Sequence, residues 1–268
     1  MIALAHFFAI SCYIGSVAVA ATPFARPVKA PVTLLCLVLG IGVTAHTIGL
    51  IAYWVRASVA PLTGLGPALS FAALLVALTL LIVELTAREV TLTLIAAPLA
   101  AITTIIAISL GLTPGTGAAG VRGVWLLSHI ALSFAGMATF ATAAAAGAMY
   151  LIERRELKSR RFGAVFRVFP PLDTLDRVNH LAAIASWLAL TIGIVLAATY
   201  SVAYQQLNLP QLVWGTVAWL AVSWIALGRV LSGWQARRAA VYSSVSFVAV
   251  VLLYVAFRMS LPGTGQFL

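Results

Sequence analysis

Eight uninterrupted apolar stretches, each near the ~20 residues that an α-helix needs to cross a hydrocarbon core, constrain this chain more than any other feature. They run from Ile2 to Ala21, Val32 to Val55, Leu65 to Leu85, Val90 to Leu112, Gly123 to Ile152, Val178 to Ala203, Leu212 to Leu231 and Ala239 to Leu261. In lipid, backbone N–H and C=O groups must bond within their own segment, so such runs take the helical form. Composition agrees, because 63% of the 268 residues are hydrophobic and 8% charged, too few polar groups to cover a soluble globule. The expectation is an all-α polytopic membrane protein, a single transmembrane domain over residues 1–268 built as a bundle of eight transmembrane helices. The first run ends in Ala18-Val19-Ala20-Ala21, which resembles a signal-peptidase site. No positive segment precedes it and His6 lies within it, so a retained helix is expected.

Lys and Arg outnumber Asp and Glu by 16 to 6, a net charge of +10. In a soluble chain that excess would point to nucleic acid. Here the basic residues cluster in short connections between apolar runs, as they do where a membrane protein fixes its orientation, and nucleic acid is set aside. The first, third, fifth and seventh connections hold Arg26, Lys29, Arg88, Arg154, Arg155, Lys158, Arg160, Arg161, Arg167, Arg177, Arg229, Arg237 and Arg238, whereas the opposite side holds Arg56, Arg122 and Arg258. Positive connections stay in the cytoplasm. Both termini are therefore expected on the extracytoplasmic side of a cell inner or plasma membrane, with the connection from Glu153 to Arg177 inside.

Within that connection, Leu157 to Phe169 alternates basic residues with Phe162, Val165, Phe166 and Phe169, the pattern of a helix lying in the lipid interface. Pro170-Pro171 stops it, and Asp173 and Asp176 follow as capping and first-turn acids of the sixth span. Glu84 and Arg88, four apart, read as an ordinary interfacial pair. Cys12 and Cys36 offer no Cys-x-x-Cys spacing and read as small apolar packing residues.

Ionisable side chains are costly in hydrocarbon, which turns attention to the histidines. His180 lies at the inner mouth of the sixth span, while His6, His46 and His129 fall in the outer half. At about 1.5 Å per residue, His129 lies roughly 10 Å below Arg122 and His46 roughly 15 Å below Arg56, depths that ordinary helix tilt can match. Gly42, Gly49 and Tyr53 share a face with His46, and Ser133, Gly136 and Phe140 share one with His129. Small residues beside an imidazole leave room for a flat ligand such as haem, whose iron takes neutral imidazole. They equally serve close helix packing, and a lone imidazole can simply bond a neighbouring helix. Arg122, Arg56 and Arg258 oppose the charge bias; they are placed to meet haem propionates or to snorkel to lipid phosphates. No nucleophile with a base, carboxylate pair or phosphate-binding loop is visible, so no enzyme is assigned. No acid lies in the middle of any span, which argues against a proton-coupled transporter.

The run Trp125, His129, Gly136, Ala143, Gly147, Tyr150-Leu151, Glu153-Arg154, Leu157-Lys158, Phe166 and Pro170-Pro171-Leu172-Asp173, with Leu175-Asp176, Thr191-Ile192-Gly193, Trp219, Arg229, Gly233-Trp234 and Arg237-Arg238-Ala239-Ala240, resembles the cytochrome c assembly protein family. Within it the chain is most similar to small eight-helix HemX-like and YpjD-like members. The resemblance implies a membrane haem-handling protein holding haem b noncovalently near the extracytoplasmic side, for trafficking or regulation. It implies His129 and His46 as axial ligands; the reading of the residues adds His6 as the substitute for either, with Arg122 and Arg56 nearby. The implied partners are the bilayer, haem and other cytochrome c maturation or membrane-complex subunits. The chain departs from full cytochrome c synthases: Tyr204 to Trp214 carries no Trp-Asp pattern, and Leu227-Gly228 stands where synthases place a histidine. Haem handling survives that loss better than covalent attachment of haem does. The competing expectation is a cofactor-free structural or assembly subunit.

The orientation is checked by labelling single cysteines placed in the connection from Glu153 to Arg177. An impermeant thiol reagent added to intact cells should leave them unmodified, and modification from outside would invert the topology.

Overall fold

The computed structural model describes residues 1–25, 31–58, 60–62, 64–87, 91–113, 120–159, 169–205 and 209–260. Among them eight long helices follow in chain order: α1 (Ile2–Ala20), α2 (Val32–Ala57), α3 (Leu65–Ala87), α4 (Thr93–Ser109), α5 (Gly120–Ser159), α6 (Leu172–Tyr204), α7 (Leu209–Ser232) and α8 (Ala236–Ser260). A single helical turn, Thr22–Ala25, continues α1. Seven of the eight are long and apolar enough to cross a membrane. The exception is α4, whose 17 residues extend about 25 Å against a hydrocarbon core of about 30 Å.

Helix ends differ from the limits of the apolar runs for identifiable reasons. The fifth run stops at Ile152 because charges begin there, yet α5 continues to Ser159, since Glu153-Arg154-Arg155-Glu156-Leu157-Lys158 are good helix formers. Likewise α6 begins at Leu172, directly after Pro171, with Asp173 in its first turn. Of the expected interfacial helix, Leu157 to Ser159 belong to α5, while 160–168 lie outside the described residues. Asp176 does more than favour a helix N-terminus: both its oxygens face Arg229 at the end of α7, with Arg229 Nη2 donating to Oδ2 at 2.9 Å. Glu84 is fully buried and accepts a hydrogen bond from Thr93 of α4. Arg88, its expected partner, lies outside the described residues.

The helices pack as two groups, α1 to α4 and α5 to α8, which meet mainly where α3 lies against α5. The most extensive contact is α5 on α6. Lipid gives no hydrophobic drive for helices to associate, so close backbone approach and polar bonds hold them. Asn179 of α6 donates to the Ala143 carbonyl and to the Ser243 hydroxyl, both at 2.7 Å, and Ser186 donates to the Gly136 carbonyl at 2.7 Å. Ser244 of α8 reaches the Ala144 carbonyl at 3.0 Å. Glycines make the approach possible. A Cβ at Gly136 would lie 2.6 Å from Leu190 Cγ, and one at Gly147 would lie 2.6 Å from Ser243 Oγ and 2.8 Å from the Ala240 carbonyl oxygen.

Gly147→Ala should therefore force α5 and α8 apart and destabilise the bundle by about 1–3 kcal/mol, the usual range for overpacking. Gly215→Ala on α7, where nothing lies within 4 Å, is the control. Thermal unfolding of the detergent-solubilised variants should show a lowered midpoint only for Gly147→Ala, and equal midpoints would refute the packing role.

Candidate histidine sites

His6 and Tyr13 stand seven residues apart on α1, hence on one face. Helix α2 lays Gly42, His46 and Gly49 against that face, and the glycines decide how near it comes. A Cβ on Gly49 would fall 2.9 Å from the His6 ring, and one on Gly42 2.8 Å from the Cβ of Cys12. The two imidazoles are thereby brought to a centroid separation of 5.0 Å, and both are fully buried. Their Nε2 atoms converge on one oxygen, the Ser70 hydroxyl of α3, at 2.9 Å from His6 and 2.8 Å from His46. The second ring nitrogens are held as well: His6 Nδ1 lies 2.8 Å from the Ile2 carbonyl and His46 Nδ1 3.0 Å from the Tyr13 hydroxyl.

Proton positions follow from what each group can do. A carbonyl only accepts, so His6 Nδ1–H donates to Ile2, and His6 Nε2 accepts from the Ser70 hydroxyl. Ser70 has one proton to give, so it accepts from His46 Nε2–H, and His46 Nδ1 accepts from Tyr13. All four donors then point the same way along the chain, from Tyr13 toward Ile2.

His129 stands in different surroundings. Its Nδ1–H donates to the Gly193 carbonyl of α6 at 2.7 Å, a reach that the small residues on both helices permit, since even a Cβ at Gly193 would come within 3.1 Å of Ser133 Oγ. That bond fixes the tautomer and leaves the lone pair on Nε2, which has no partner among the described residues. None of residues 123–135 is buried, whereas 140–147 all are, so the first turns of α5 keep an open flank. One turn before His129, Trp125 donates its indole N–H to the Leu196 carbonyl at 3.1 Å and packs edge-on against Tyr200 and Tyr204, with centroids 6.3 and 6.2 Å away. These rings form an aromatic wall at the N-terminal end of α5 and the C-terminal end of α6.

The structure thus brings His46 together with His6 and sets His129 apart against α6. The depth match between the two places has a physical counterpart. Phe71, next to Ser70, meets Phe134, five residues after His129, at 6.4 Å across the α3–α5 contact. The space beside His46 that its glycine stripe was expected to open holds Tyr13, Cys12 and His6. Arg56 is exposed at the end of α2. Arg122 falls in the first turn of α5, and its side chain, like that of Arg258, lies outside the described residues. Ser70, Tyr13 and the Gly193 carbonyl were not anticipated as site groups. Ser70 is the first hydroxyl of its run and Tyr13 shares the His6 face, which are usable signals; a carbonyl bared by a glycine leaves none.

No curated protein matches the chain. The sequence does match the family described as Cytochrome C assembly protein, over residues 62–264. The match spans α3 to α8 and takes in Ser70, His129 and Gly193, while His6, Tyr13 and His46 precede it. It covers well over half of the sequence, and the chain belongs to the cytochrome c assembly protein family.

Proposed function

We propose that this protein is a membrane haem-handling protein of the cytochrome c assembly type, which holds haem b noncovalently beside His129 on the extracytoplasmic side for trafficking or regulation. The observation that carries this reading is the state of His129. A metal-ligating histidine donates its other ring N–H to a carbonyl or carboxylate, which fixes both tautomer and ring orientation. His129 does this with Gly193 and keeps a bare Nε2 in the half of α5 that has an open flank. Neutral imidazole of that kind is what haem iron takes as an axial ligand. Trp125, Tyr200 and Tyr204 suit the apolar faces of a macrocycle, and the exposed Arg56 at the end of α2 offers a guanidinium group of the kind that pairs with carboxylates. The haem, once bound, supplies any redox chemistry, and the chain supplies position and shielding from water.

His46 and His6 are engaged with each other through Ser70, so His129 is assigned as the ligand from the protein. Absence of a Trp-Asp segment between α6 and α7 favours delivery or sensing over covalent attachment.

The test is the absorption spectrum of detergent-purified protein reconstituted with haemin, oxidised and reduced. A Soret band with defined reduced α and β bands is expected, lost in His129→Ala and retained in His46→Ala. Loss in His46→Ala alone would move the ligand to α2. A folded wild-type protein that stays colourless would overturn the haem reading in favour of a cofactor-free assembly subunit.

A further inference from the structure

We propose that the corner between α7 and α8 binds one anionic phospholipid, its phosphate held by Arg238 and Arg237 and an acyl chain lying beside Trp224. The chain reverses direction there through Gly233, at a φ of +58° that other residues adopt only with strain, and the Trp234 N–H donates to the Gly228 carbonyl at 3.2 Å. A Cβ at Gly228 would fall 2.6 Å from the Trp234 ring, so it is the missing side chain that seats the indole against α7. Trp224, one turn before Gly228, meets that indole edge-on at 5.6 Å, and Tyr242 of α8 meets it at 5.0 Å. Arg238, one turn before Tyr242, sets its guanidinium 4.3 Å from the Trp234 centroid and 5.8 Å from that of Tyr242. Contact with a ring face fixes a guanidinium without occupying its N–H groups, which lie in the plane of the fork. The fork is thus held in position with its donors left for phosphate oxygens.

Charge selects the occupant. Arg237 and Arg238 are both exposed, and among the described residues neither lies within 4.0 Å of a carboxylate. Asp176 has both oxygens engaged by Arg229, the residue after Gly228, and the first turn of α8 carries no acid. A zwitterionic lipid would bring its ammonium against two guanidinium groups with no free carboxylate to receive it; an anionic headgroup brings negative charge alone. Arg154, Arg155 and Lys158 strengthen the same field, because Gly147 of α5 meets Ala240 of α8 and so sets the basic end of α5 at the same end of the bundle. Tryptophan favours the level where headgroups meet hydrocarbon, and the exposed side chains of Trp224, Leu231 and Val245 offer acyl chains an apolar surface along the two helices. The site shares no residue with either histidine place and does not rest on the haem reading.

The experiment is native mass spectrometry of delipidated protein in detergent, titrated with phosphatidylglycerol, phosphatidylethanolamine or phosphatidylcholine of identical chains. One phosphatidylglycerol per protein is expected to bind about ten-fold more tightly than either zwitterionic lipid, and Arg238→Gln should lower that preference about five-fold, the effect of one basic contact. Trp234→Leu, which keeps the charge and removes the ring that positions it, should also lower the preference. Arg155→Gln removes an equal charge from the same end and should leave the tightly bound lipid in place. Because the readout is a ratio of lipids on one sample, a variant that folds less well still reports it. Brominated phosphatidylglycerol, which needs no variant, should quench tryptophan fluorescence of the wild-type protein more than brominated phosphatidylcholine does. Equal affinity for the three lipids, unchanged preference in both Arg238→Gln and Trp234→Leu, or an equal loss in Arg155→Gln would each overturn the assignment.

Discussion

A polar side chain in hydrocarbon has no water to return to, so its partner must come from another helix or from its own backbone. That requirement organises this bundle more than apolar contact does, because lipid is as apolar as the leucines it surrounds. Asn179 and Ser186 tie α6 to α5, Ser244 ties α8 to α5, Glu84 and Thr93 tie α3 to α4, and Arg229 closes α7 onto α6. His6, His46 and His129 obey the same rule, and what differs is how completely. His6 and His46 satisfy both ring nitrogens within the protein, whereas His129 satisfies one. The half-satisfied imidazole is the one with capacity left for an external ligand.

Much of this was legible in the residues because the bilayer reduces the choices open to a chain. Run length and the absence of charge marked the helices, and positions three, four and seven residues apart marked which small residues share a face with each histidine. The faces were read correctly at Gly49 and Gly136; what stood open was whether those faces meet a ligand or another helix. The structure answers with a helix in both places, Gly49 under His6 and Gly136 under Leu190. Pairing between helices was not legible. His46 and His129 match in depth, but depth leaves the rotation of each helix about its axis undetermined, and it is rotation that turns His46 toward α1. The short α4 and the long α5 were also missed at their ends, since hydropathy records where lipid contact is tolerable and not where backbone bonding stops.

The two histidine places are neighbours in level, separated by the Phe71–Phe134 contact at the seam between the two helix groups. One lies among α1 to α3, largely ahead of the region that defines the family, and the other lies on α5 and α6, within it. The family core thus carries the imidazole with an unused nitrogen, and the two preceding helices add a closed polar network against the same seam.

Helix α5 runs for 40 residues without a proline, about 60 Å at 1.5 Å per residue, roughly twice the thickness of the hydrocarbon core. His129 stands near one end of this rod, and Arg154, Arg155 and Lys158 stand near the other. Gly136 and Gly147, pressed against α6 and α8, lie between them as fulcrum points. A rigid helix pivoting on such contacts converts a small displacement at one end into an opposite one at the other. A displacement of the His129 end would therefore arrive at the Arg154, Arg155 and Lys158 end reversed in direction.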